Sequence, residues 1–215
     1  MIFPFLASFL IFILILQHNI RKGKKSSEQA ELEFWERESS ANDVRKQSLD
    51  NLAYISFKAE PFFPINLLNA ADCPDFLSTN PEIKEILSRF LFLEQQRIVN
   101  LTEYTNTDLK YKYGVANLPA LTDMDTYFNE LITLLHNYGD IFFKAGYETQ
   151  AVTIWEYAIS IGTDISSTYL NLAGIYQKNQ QWDKIDQLKK EAEIISTSRK
   201  NSIVRKLQEF GPCSG

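Results

Sequence analysis

Residues 131 to 192 read LITLLHNYGDIFFKAGYETQAVTIWEYAISIGTDISSTYLNLAGIYQKNQQWDKIDQLKKEA, and the period of this stretch decides the fold. Leu135, Tyr138, Gly139 and Phe142 recur at steps of three and four, and so do Ala151, Trp155 and Ala158. That spacing puts each set on one stripe of an α-helix. The connection from Ala145 to Thr149, with Gly146 inside it, is short enough to turn the second helix back along the first. Small residues at Gly139 and Ala151 let the two backbones approach, and the rings of Phe142 and Trp155 fill the space beside them.

This order of large, small and aromatic positions resembles the tetratricopeptide repeat signature. Advancing by that family's length of about 34 residues lands on Tyr169, Leu172, Ala173, Tyr176, Ile185 and Ala192, which predicts a second, weaker copy. It departs where Ile185 replaces a small residue and where Lys189 stands in place of an aromatic, with Leu188 beside it. The proline that usually closes the first repeat is also missing, and Thr163 and Asp164 stand there instead. In 201–210, NSIVRKLQEF, the helical spacing of Ile203, Val204 and Leu207 suits a capping helix, ended by Gly211 and Pro212. The resemblance spans roughly residues 125 to 210.

Tetratricopeptide arrays generally bind peptides or proteins on the concave face made by the first helix of each repeat. By that resemblance the partner-binding residues are His136, Asn137, Asp140 and Lys144 in the first unit, and Asn171 and Lys178 in the second. Thr133, Leu170, Gly174 and Gln177 complete the face. His136 and Asp140 occupy places where members that grip a terminal carboxylate carry lysine and asparagine, which argues against an acidic peptide tail as ligand. A solvated helix face is the competing reading for each of these residues.

Upstream, Asn80, Pro81 and Glu82 form a helix start, with an N-cap, a proline at the first helical position and an acid in the first turn. Ile83, Ile86, Leu87, Phe90 and Leu91 continue it as an apolar stripe toward Ile98 and Leu101. Because two repeats fall short of the three or so that stand alone, this helix is expected to pack as an additional layer. Residues 104–124 read as a long loop around Gly114 and Pro119, with Tyr111, Tyr113, Asn117 and Leu118 as site candidates of unspecified chemistry. Between 48 and 80, prolines inside an apolar run predict irregular structure wrapped on the helices through Tyr54, Phe57, Phe62 and Phe63, residues that could equally line a peptide groove.

At the N-terminus, Ile2 to Leu16 reads IFPFLASFLIFILIL without a charge, and Arg21, Lys22, Lys24 and Lys25 follow. Fifteen residues reach only about 22 Å against a hydrocarbon core of about 30 Å, so a span has to recruit Met1 and the turn from Gln17 to Ile20. Residues 1–20 are expected to be a transmembrane anchor, and 21–47 a basic and then charged juxtamembrane helix or stalk. Phe34 and Trp35 would then dock on the domain or sit at the bilayer interface. Lysine and arginine stay on the cytoplasmic side, which predicts a single-pass protein of the cell membrane with its C-terminal domain in the cytoplasm. A cleaved signal peptide competes, although the charges follow the apolar run and QHNIRKGKKSSEQ offers no small-x-small site. A buried core helix is the third reading.

Hydrophobic content of 45% and aromatic content of 13% place the chain among folded proteins. Setting the four basic residues after the apolar run aside leaves 18 of the 22 basic residues against 27 acidic ones, a balance that repels phosphate backbones and argues against nucleic acid. Cys73 and Cys213 belong to no CxxC pair, so neither a disulfide framework nor a zinc site is indicated. No GxSxG, P-loop, GxGxxG or HExxH motif is present, which leaves no metal, cofactor, small-molecule substrate or catalysis to expect.

The architecture expected is mainly α: an N-terminal single transmembrane helix, the stalk, the irregular 48–80 segment, a helix plus long loop over 81–124, two tetratricopeptide-like helix pairs of an α-solenoid over 125–196, and a capping helix and tail over 197–215. The function expected is a membrane-tethered scaffold or adaptor that holds a protein or peptide partner. The alternatives are an exported soluble binding or assembly factor whose signal peptide is removed, and a regulatory subunit of a membrane complex.

Overall fold

A computed structural model describes residues 3–61 and 80–211, except that the side chains of 3–12, 14, 15, 18 and 21 are outside the description. Phe62, Phe63, Cys73, Pro212 and Cys213 also lie outside the described residues. Among those described, the α-helices are α1 Phe3–Asn42, α2 Pro81–Leu93, α3 Asn106–Tyr113, α4 Leu118–Lys144, α5 Glu148–Ser160, α6 Ser166–Lys178, α7 Trp182–Ile194 and α8 Lys200–Leu207. The chain is mainly α-helical and divides into two compact units, Met1–Ser48 with Asn106–Leu118, and Leu49–Thr105 with Pro119–Gly215.

In the first unit, α1 runs unbroken for 40 residues, about 60 Å at the usual rise. This corrects the expectation of a transmembrane anchor over 1–20, because among the described residues no helix is long and apolar enough to cross a membrane. The physical reason is length: the apolar run is about 8 Å short of a hydrocarbon core, and the same helix continues through Lys22, Lys24 and Lys25 into exposed, charged turns. The membrane-tethered function, the single-pass topology, the membrane as a partner and the cell-membrane location with a cytoplasmic domain all rested on that anchor and are withdrawn with it.

The C-terminal end of α1 is fastened to α3. Arg37 pairs with Asp108 and lies over the Tyr111 ring, and Glu38 pairs with Lys110 while accepting from Thr107 Oγ1 at 2.8 Å. The lysine and threonine hydrogen bonds hold the Glu38 carboxyl below its ordinary pKa against a smaller opposing effect of burial. Asn117 Nδ2 donates at 2.7 Å to the carbonyls of Gln47 and Tyr113, locking the chain that follows α3. The stretch 104–124 is therefore not a loop. Its helix α3 has no apolar stripe of its own and is held by contacts with residues some 70 positions earlier, a distance at which sequence period is silent. Phe34 and Trp35, expected to dock on the domain or sit at the bilayer interface, are exposed and meet edge to face at 5.4 Å.

In the second unit, Asn80 caps α2 by accepting from the Glu82 N–H, and Ile83, Ile86, Leu87 and Phe90 face the core while Leu91 is exposed. Helix α2 stops at Leu93, and Ile98 and Leu101 are buried from a non-helical strap beyond it. Ile55 donates its N–H to the Ile98 carbonyl at 2.9 Å next to an antiparallel bridge between Tyr54 and Val99. This pairing carries Phe57 into the core, where its ring meets Phe90 at 5.2 Å and Tyr157 at 6.2 Å.

Helices α4 to α8 succeed one another through short turns. Helix α4 begins at Leu118, earlier than the helical period suggests, with Pro119 in the first turn where a missing N–H costs nothing. The turn into α5 needs a positive φ, and Gly146 supplies it at 86°. Gly139 faces the Trp155 indole so closely that a Cβ would overlap the ring. Further along, Leu188 is buried, while Lys189 pairs with Asp186 at 3.7 Å. Ile203 and Leu207 of α8 are fully buried and close the last apolar face.

Candidate functional site

Along α4, the outward stripe next to the core carries His136, Asn137, Asp140 and Lys144, a set that lies together because steps of three and four return to one side of a helix. Helix α6 lies alongside. His136 is half-buried between them, with Ser167 Oγ 3.0 Å from Nε2 and Thr168 Oγ1 3.0 Å from Nδ1, and its ring stacks on Trp155 at 6.4 Å. Lys144 Nζ reaches Asp140 Oδ2 at 2.8 Å, and Asn171 Nδ2 donates to Asp140 Oδ1 at 3.3 Å. Four of the six expected partner residues thus belong to one interhelical seam, and His136 serves it as a tie.

Lys178 stands apart from that seam, pairing at 2.7 Å with Glu148 at the start of α5, which also accepts from Asn179 Nδ2 at 3.3 Å. Asn137 is exposed. The Lys178 hydrogen bond, followed by that of Asn179, holds the Glu148 carboxyl below its ordinary pKa. The hydrogen bond to Asp140 raises Lys144. The Lys144 ammonium therefore stays charged across the physiological range.

Between the seam and Lys178 lies a groove of about 290 Å³, lined by Phe143, Glu148, Leu170, Asn171, Gly174, Ile175, Lys178 and Phe210. Sequence reasoning placed Leu170, Asn171, Gly174 and Lys178 on this face and missed Phe143, Glu148, Ile175 and Phe210. Phe143 follows the inward Phe142 and so lies off the core stripe, while Phe210 comes from beyond the end of α8. A second depression of about 320 Å³, beside α5 and α7, has a polar rim of Glu156, Lys184, Gln187 and Glu191. Tyr176 and Lys184 already donate to Glu156 there, at 2.6 and 2.8 Å. The groove beside α6 has the apolar floor that a protein ligand needs.

Burial lowers the His136 pKa from its ordinary 6.5, with Asp140 opposing the shift and Lys144 adding to it. The folded state favours the neutral ring, so this contribution to stability is complete above about pH 6.5 and is lost as pH falls through the lower folded value. Thermal midpoints measured from about pH 7.5 down to about pH 5 are expected to fall in the native chain. His136→Gln should flatten that part of the profile, and an unchanged slope would remove His136 from the seam's energetics.

Among the described residues, no three histidine, cysteine, aspartate or glutamate side chains come together to hold a metal ion. Comparison with known proteins finds no matching family model, no matching curated protein and no matching solved structure.

Proposed function

We propose that helices α4 to α8 form a tetratricopeptide-like protein-binding module, a binding or assembly factor that takes a peptide or protein segment on the face of α4 and α6 and performs no catalysis. The observation that carries this reading is Gly174. It sits in the middle of α6, exposed above the groove, and no heavy atom lies within 4 Å of where its Cβ would be. Neither a turn nor a close neighbour requires glycine there, and glycine in a helix interior costs about 1 kcal/mol relative to alanine. Room for a ligand accounts for it. The titratable groups on this face support binding over chemistry, because Asp140, Glu148 and both ring nitrogens of His136 are engaged with neighbouring side chains.

Gly174→Ala is expected to raise stability by about 0.5–1 kcal/mol, read as a higher denaturation midpoint, while crowding the groove by one methyl. The test of function is a photo-crosslinker placed at Lys144→Cys in the full chain, with Gly174→Leu as the blocked control. A partner captured by the first and lost in the second is the expected result. Capture that ignores Gly174→Leu, or no capture at all, would sink the reading.

A further inference from the structure

Two exposed features of this chain complement each other. Leu32, Phe34 and Trp35 of α1 are 64%, 52% and 59% exposed, which is unusual for three large apolar side chains within four residues. Glu28, Glu31, Leu32 and Trp35 follow at steps of three and four, so the tryptophan and leucine share one helix stripe with two carboxylates, and Glu36 flanks it. Opposite in character is the groove beside α6, with an apolar floor of Phe143, Leu170 and Phe210. The lysines at its edges project furthest: Lys144 and Lys178 side chains are 75% and 68% exposed, while the carboxylates that hold them, Asp140 and Glu148, are recessed at 29% and 30%. A segment approaching the groove meets ammonium groups first. Each ammonium has three N–H donors, and one contact to its own carboxylate leaves donors for a second.

We infer that the groove of one molecule takes the Leu32–Trp35 stripe of α1 from a second copy of this chain, with Trp35 over the apolar floor and the flanking glutamates against Lys144 and Lys178. This inference rests on the partner-binding reading above and names the partner. A groove of 290 Å³ has room for an indole, and an aromatic of this size buries about 150–250 Å² when it docks. One helix stripe is a small footprint beside specific interfaces of about 1,200–2,000 Å², so the association is weak and depends on concentration and salt. The two surfaces differ, so the contact is head-to-tail unless two copies exchange helices reciprocally.

The test mixes full-length chains carrying ordinary and heavy nitrogen, then joins carboxylates to amines with a carbodiimide and identifies the linked peptides by mass spectrometry. Mixed-label links between the Glu28–Glu36 segment and Lys144 or Lys178 are expected, alongside concentration-dependent sedimentation. Trp35→Ala, which alters an exposed side chain, and Gly174→Leu, which has open space to enter, should each weaken association about tenfold or more, as truncation or blockage at a docking anchor does. Lys144→Glu should weaken it as well, and Glu31→Lys in the same chain should restore it. Same-label links only, or association indifferent to both Trp35→Ala and Gly174→Leu, overturns the inference. A chain that stays monomeric at every concentration also overturns it, and if such a chain still captures a different protein through position 144, the binding-module reading survives alone.

Discussion

Trp155→Ala is expected to lower stability by about 3–5 kcal/mol, a fall of roughly 10 °C in the thermal midpoint of a chain this size. The indole is fully buried, stacks on His136, meets Phe143 at 5.7 Å and donates its Nε1–H to the His136 carbonyl at 3.2 Å. Removing it opens a cavity between α4 and α5 that neither helix can close, since three residues join them and hold their ends. The partner position makes the effect diagnostic. Gly139→Ala alone is expected to destabilise by about 1–3 kcal/mol, because its new methyl lands in a ring with nowhere to move, which outweighs the helix-propensity gain. In the Trp155→Ala background the same substitution should stabilise. Denaturant titrations of the four chains settle it, and single effects that add to within about 0.5 kcal/mol would mean that the two residues do not control the helix approach.

That pair also shows what the sequence makes legible. Gly139 and Trp155 are readable because the requirement is local: a small residue on one helix faces a ring on the next across a short turn. The inward stripes of α2 and α4 to α8 are readable for the same reason, since apolar period reports burial wherever a helix packs by one face. Helix α3 is not, because its hold comes from Glu38 and Arg37, far away in the chain and polar, which leaves no periodic mark. Within the candidate site, helical spacing correctly gathers His136, Asp140 and Lys144 on one face. It cannot say that Asp140 is engaged by Lys144 and Asn171, or that His136 is wedged between two hydroxyls, because such pairings depend on the register of α6 against α4. The N-terminal run misleads for a third reason. Counting apolar residues measures a stretch and not the element that contains it, and that element is a 40-residue helix whose larger part is charged.

Phe90→Ala is expected to cost about 3–5 kcal/mol as well, and its consequence reaches further along the chain than the cavity it leaves. The Phe90 ring is fully buried, lying 5.2 Å from Phe57 and edge-on to Tyr138 at 6.2 Å, so it joins three segments: α2, the extended 54–59 segment before it, and α4. Further holds on this segment are the Ile55 N–H to Ile98, the Tyr54–Val99 bridge, the Arg97 guanidinium over the Tyr54 ring, and Glu94, which pairs with Lys58 at 3.0 Å and accepts from the Ala59 N–H at 3.4 Å. Apolar burial outweighs solvent-exposed polar contacts in fixing an extended segment against its conformational entropy, so Phe57 packing on Phe90 is expected to contribute most. Hydrogen exchange at the Ile55 amide should therefore accelerate in Phe90→Ala by more than the global loss of stability explains, while Leu91→Ala, on the exposed side of the same helix, should change stability by under about 0.5 kcal/mol. Protection at Ile55 that tracks only the global change would show that the 54–59 segment is held some other way. If it opens as expected, α2 and the 54–59 segment form one layer against the Tyr138 side of α4.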